Sequence, residues 1–135
     1  MSLNDKERKI VVHLQLEKAE RNLEQIEILK QAGYWDNVAN RLYYALFHAV
    51  SALLINDGHN VNSHRGAVGA FGQLYVKTGE FDIEDGKHYA RLQTLREKSD
   101  YNCAYNATET DVESKTEPTR LLVEKIKKYI YRKEQ

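Results

Sequence analysis

The chain is 135 residues long, which under the usual size prior makes one domain, residues 1–135, with a single core. Its 41% hydrophobic and 30% charged content belongs to a folded globular protein and excludes a disordered tail. Twenty basic residues balance twenty acidic ones, so the chain lacks the basic excess of a protein that grips duplex nucleic acid indiscriminately.

From Asn4 to Ala32, the residues Val12, Leu16, Ala19, Leu23 and Ile26 recur at alternating spacings of four and three. That is the single apolar stripe of an amphipathic helix, and Gly33 is its natural stop. A second helix is expected from Trp35 to Ile55, apolar over more than half its circumference and therefore central. Its one polar strip carries Asn37, Arg41, Tyr44, His48 and Ser51 at helical spacing. His59 to Asn62 reads as a connection, and Ser63 can cap a third helix running to about Lys77, before Thr78-Gly79. Asp82 can cap a fourth, carrying Tyr89, Leu92, Leu95 and Ser99 on one side and continuing to about Tyr105. Asn106 to Lys115 is polar and reads partly as loop. The last helix starts either near Thr116, with Pro118 in its first turn, or near Glu109, with the proline inside it. Leu122, Ile126 and Tyr129 supply its inward stripe. No segment alternates as a strand does, so the fold expected is all-α, an up-and-down bundle of about five helices.

Cys103 is the sole cysteine, which leaves no internal disulfide framework and no multi-cysteine zinc site. His13, His59 and His88 lack ligand spacing, so neither a metal nor a cofactor is expected. No stretch reads as apolar over a bilayer's thickness, and the N-terminal residues are polar; a cytoplasmic protein without a membrane partner is the simplest expectation.

Three segments, in order between Trp35 and Tyr105, resemble the HEPN domain family. Arg41-Leu-Tyr-Tyr-Ala-Leu-Phe-His-Ala-Val-Ser-Ala-Leu-Leu is similar to its second helix. His64-Arg-Gly-Ala-Val-Gly-Ala-Phe-Gly is similar to its third, and Arg96-Glu-Lys-Ser-Asp-Tyr to its fourth-helix signature. The resemblance implies a helical bundle that commonly forms a homodimer and works on RNA or nucleotides. It also implies a nucleotidyltransferase partner in a toxin–antitoxin pair. Many members are metal-independent ribonucleases, with an Arg followed, after four to six residues, by a His at a dimer cleft. Histidine can move the 2′-hydroxyl proton near neutral pH, and arginine can stabilise charge on the phosphate. Carried onto this chain, the arginine is Arg96, while the histidine window holds Tyr101, Asn102 and Cys103. Tyrosine, with an ordinary pKa near 10, is a poor base.

Arg96, Asp100 and Tyr101 are therefore the first candidate ligand-binding cluster, with Arg96 and Tyr101 also the catalytic candidates. Asp100 can equally be a mere ion-pair partner of Arg96, one helical turn away. Arg41, Tyr44 and His48 form a second cluster, because Arg41 and His48 share a helix face; their plainer reading is mutual satisfaction inside the bundle. His64-Arg65, at a helix start, could hold a phosphate. Gly66, Gly69 and Gly72 read as a close-packing face more readily than as a phosphate loop. Tyr43-Tyr44 and the pair Tyr101 and Tyr105, one turn apart, could stack a base or simply pack. Charge is uneven: Glu80–Glu117 holds ten acidic and five basic residues, and Thr119–Gln135 six basic and two acidic. The basic end reads as a solvated helix face or a weak RNA contact. Three functions follow: a binding module without ribonuclease activity, an endoribonuclease using Arg96 with a substitute base such as Tyr101 or a histidine from elsewhere, or a purely structural bundle.

Overall fold

The structure is a computed structural model that describes residues 3–61 and 63–133. The end of the His59–Asn62 connection and the last two residues of the basic tail lie outside it. The described residues form six α-helices and no strand: α1 (Asp5–Glu24), α2 (Ile26–Gln31), α3 (Trp35–Asn56), α4 (His64–Phe71), α5 (Ile83–Tyr101) and α6 (Glu109–Lys133).

Asn4 starts α1 with a reciprocal cap. Its side-chain oxygen accepts from the Glu7 amide at 2.8 Å, and the Glu7 carboxylate accepts from the Asn4 amide at 3.0 Å. The expected stripe of Val12, Leu16, Ala19 and Leu23 is buried. The first rod is interrupted once, at Gln25, and resumes as α2 with Ile26 in the core. Gly33, at φ +76°, closes it: the Gly33 amide bonds to Lys30 and the Tyr34 amide reaches back to the Leu29 carbonyl at 2.9 Å. That double closure needs a left-handed residue, which glycine adopts without a Cβ penalty.

α3 is the central rod, packed along α1 and also against α6, α5, α2 and α4. Val38, Ala39, Leu42, Tyr43, Ala45, Leu46, Ala49, Val50, Leu53 and Leu54 on it are wholly buried. The expectation that no stretch is apolar enough to span a bilayer is corrected here. Trp35–Asn56 passes by length and composition, and 67% of that apolar window is buried among the other helices. A core helix surrounded by neighbours loses its polar face, which is why it reads this way.

Ser63 caps α4 as expected, its hydroxyl accepting from the Gly66 amide at 2.8 Å. The helix then widens into a π-helical turn, Gly72–Val76, in which the Lys77 amide bonds to the Gly72 carbonyl at 2.8 Å. The buried Tyr75 of this turn donates its hydroxyl to Asp57 at 2.7 Å. Within the chain, the packing reading of the three glycines fails. A Cβ on Gly69 or Gly72 would meet nothing within 4 Å, and one on Gly66 would meet only the capping Ser63.

One of the later boundaries differs from the expected one, and one left open is decided. α5 ends at Tyr101 rather than Tyr105, because Asn102 turns extended and its side chain accepts from the Ala104 amide at 3.0 Å. Such a local side-chain bond competes with the helix. The last helix starts at Glu109, the earlier of the two alternatives. Thr108 and Asp111 cap each other across its first turn, the Asp111 carboxylate accepting from the Thr108 amide at 2.8 Å. Pro118 therefore lies inside α6. Asp36, at the start of α3, accepts from the Ala107 amide at 2.7 Å and ties the intervening loop down.

Candidate functional site

One face of α3 meets the start of α4 and the end of α5, and there the polar groups of all three elements collect. Arg96 projects from α5 onto α3. Only 4% of it is exposed, and its guanidinium carbon lies 4.8 Å from the centre of the Tyr43 ring, 5.7 Å from Tyr44 and 5.5 Å from Tyr101. Three aromatic faces around a desolvated guanidinium are a favourable enclosure. Its Nη1 donates to the Tyr101 hydroxyl at 3.1 Å and lies 3.7 Å from the Asp100 carboxylate, while its Nε has no partner. Asp100 in turn accepts from the Asn40 side-chain Nδ2 at 3.2 Å. So the expected Arg96–Asp100 pair forms, but as one contact of several and beneath a ring cluster.

His64, at the start of α4, also reaches the cluster. The fully buried Tyr43 joins its hydroxyl to His64 Nδ1 at 2.8 Å, and the imidazole lies 4.5 Å from the Phe47 ring and 5.7 Å from Tyr44. Burial, followed by the Arg96 charge, holds His64 below the usual histidine range. Burial likewise pushes the Tyr43 phenol up to about 12, so near neutral pH both partners are uncharged. Arg96 and His64 thus both meet Tyr43, although 31 intervening residues separate them in sequence. Tyr101 is the exposed edge of the cluster, at 75% exposure.

Arg41 and His48 do not satisfy each other. Arg41 Nη1 donates to the side-chain oxygens of Asn40 at 3.1 Å and Asn22 at 3.5 Å. His48 Nδ1 pairs with Gln15 at 2.7 Å, and burial, then the Lys18 charge, lowers its pKa. Both line a groove between α1 and α3, with Tyr44 as the wall it shares with the Arg96 cluster. Arg65, by contrast, points away from His64: its side chain is 83% exposed and 3.9 Å from Glu97. Tyr105 also leaves the group. It is off the helix, donates its hydroxyl to Asp111 at 2.7 Å, and cannot sandwich a base with Tyr101 one turn away.

Sequence reasoning missed Asn40, Phe47, Gln15, Lys18 and Asn22 as neighbours of the site. A signal existed for the last three: they recur at helical spacing along α1, beside its buried stripe, so they must lie against the polar strip of α3. Nothing local marks Asn40 or Phe47, which matter only because α4 and α5 arrive there.

A family model for the HEPN domain matches residues 12–129. Two proteins of Methanocaldococcus jannaschii, each named "Putative toxin", are similar to the chain. One is 30% identical over 118 residues, 87% of this chain and 80% of its own. The other is 33% identical over 113 residues, 84% of each. A "UPF0332 protein" of Thermotoga maritima is 35% identical over 99 residues, 73% of this chain and 74% of its own. The matched span contains every residue of the cluster.

Proposed function

The chain belongs to the HEPN domain family, and on that premise we propose that it is a toxin-like, RNA- or nucleotide-associated binding module without ribonuclease activity of its own. The observation that carries this reading is the seal over Arg96. An arginine that stabilises a phosphoryl transition state must present its donors where charge develops. Here Arg96 is 4% exposed as a residue, its guanidinium lies within 4.8–5.7 Å of three tyrosine rings, and Nη1 is already given to Tyr101. At the position where the ribonuclease motif places a histidine, this chain has that same tyrosine. What remains open to a ligand is the exposed Tyr101 ring, the edge of Tyr44 and the imidazole of His64, a set suited to stacking and hydrogen bonding a base. The names of the Methanocaldococcus relatives support a toxin–antitoxin setting. A nucleotidyltransferase partner and a homodimer complete the proposal, resting on the family resemblance.

A second reading draws on one specific contact. His64 and Arg96 both contact Tyr43, so a histidine from elsewhere in the chain does reach the cluster. If the rings part, Arg96 and a neutral His64 are the pair an endoribonuclease would use. The test is incubation of single-stranded RNA with purified protein in EDTA, alongside fluorescence anisotropy of labelled RNA. Intact RNA with binding weakened several-fold in Tyr101→Ala is the expected result. Cleavage that disappears in both His64→Gln and Arg96→Lys would replace the module with the enzyme. Neither binding nor cleavage would leave a structural bundle.

A further inference from the structure

The groove between α1 and α3 lies outside the Arg96 cluster and has a chemistry of its own. It encloses about 360 Å³. Lys18 and Arg21 stand on its α1 wall, and Arg41 and His48 on its α3 wall, with the Tyr44 ring at the end nearest Arg96. Among the described residues, none of Lys18, Arg21 and Arg41 has a carboxylate within ion-pairing distance. By contrast, neighbouring α1 carboxylates outside the groove have partners elsewhere: Glu17 lies 3.1 Å from His13, and Glu20 2.9 Å from Lys127 of α6. Arg41 is half-buried, yet its nearest acceptors are the neutral amide oxygens of Asn22 and Asn40. Removing a guanidinium partly from water without an opposite charge is costly, and an incoming anion offsets that cost.

We propose that this groove is a phosphate-binding site, taking the phosphate of a nucleotide or of an RNA phosphodiester, with the attached base directed to Tyr44. Arg41 supplies the planar, oriented donors; Lys18 and Arg21 supply mobile charge at the rim. His48, tied through Nδ1 to Gln15, has its ring held in place beside them. The neutral molecule as a whole explains why this field is local: three uncompensated cations gather in one groove while the chain carries no net charge. Tyr44 joins the groove to the cluster, since its ring lies 5.7 Å from both the Arg96 guanidinium and the His64 ring. The site therefore deepens the proposed function, on which it rests, by saying where the ligand's charge is held.

The experiment measures binding of a labelled single-stranded RNA decamer, of ATP and of inorganic phosphate, across salt concentrations, to wild type, Lys18→Gln/Arg21→Gln and Tyr101→Ala. The first two substitutions are at the surface and spare the core. Wild type is expected to bind, the double variant to lose at least tenfold in affinity, and its slope of log affinity against log salt to fall by about 1.4 for two phosphate contacts on a single strand. Tyr101→Ala is expected to weaken RNA binding without changing that slope. Displacement of RNA by millimolar ATP identifies a nucleotide-sized occupant, and displacement by no small anion identifies the phosphodiester chain; either supports the site. RNA bound equally well, with equal slope, by wild type and double variant overturns the groove alone. Failure of all three ligands to bind wild type overturns the functional reading with it.

Discussion

Truncating Arg96 would leave the faces of Tyr43, Tyr44 and Tyr101 turned toward a void inside the bundle. Arg96→Ala is expected to cost about 2–4 kcal/mol in urea denaturation, the usual range for emptying a well-packed site. Arg96→Met keeps the volume and removes the unpartnered Nε, so it should recover more than half of that loss. Tyr43→Phe deletes only the hydroxyl bonded to His64 and is expected to cost about 1 kcal/mol by the same measurement. At this scale the sequence was partly readable. Arg96, Asp100 and Tyr101 share one helix end, and a motif plus helical spacing identifies them. His64 stood out only as a residue at a helix start; its bond to Tyr43 spans 21 residues, and no local pattern encodes a contact made by docking α4 onto α3. Elsewhere, the Thr119 hydroxyl joins two elements: its oxygen lies 2.7 Å from the Lys115 carbonyl of its own helix and 2.7 Å from His88 Nε2 on α5.

Helix ends separate what is local from what is not. The caps at Asn4 and Ser63 and the stop at Gly33 could be read directly, because each uses atoms within a few residues of itself. The end of α5 could not, since Asn102 chooses between continuing the helix and closing its own turn, and the tie between Ala107 and Asp36 decides where the chain goes next. Pro118 is the clearest conflict between propensity and packing. It denies the Ser114 carbonyl its usual amide partner, yet buried Thr116, Thr119, Leu122 and Ile126 hold α6 helical on both sides of it. Because Pro118 itself is exposed, Pro118→Ala should restore the bond without disturbing the core and raise stability by about 1–2 kcal/mol. Thermal melts of the two proteins check this. Gly33→Ala should do the opposite, lowering stability by about 1 kcal/mol, because it forces a Cβ into the left-handed region.

Across the whole molecule, folding consumes part of the charge and leaves the groove between α1 and α3 cationic. The basic end reads in the sequence as a free cationic face, yet Lys125 reaches Asp85 at 2.7 Å and Lys127 reaches Glu20 at 2.9 Å, joining α6 to α5 and to α1. Acid sensitivity follows from the histidines. His48, His64 and His88 each have pKa values lowered from 6.5, burial being the first cause in every case. The unfolded chain binds these protons more readily, so stability is complete above pH 6.5 and is lost as the pH falls from there through the lowered native values. The melting temperature is therefore expected to drop between pH 7 and pH 5, with a shallower slope in His88→Gln. The π-helical turn at Gly72–Val76 adds a last consequence, for the length of the chain. Such a turn holds one residue more than an α-helix needs to join the same two ends. Shortening the chain by one exposed residue there, Gln73, lets the turn relax to α while Phe71 before it and Phe81 after it keep their places. The same deletion inside α3 would rotate everything beyond it by about 100° and bury the wrong face. Insertions and deletions are thus expected to accumulate at one turn of this bundle and to be purged from its central rod.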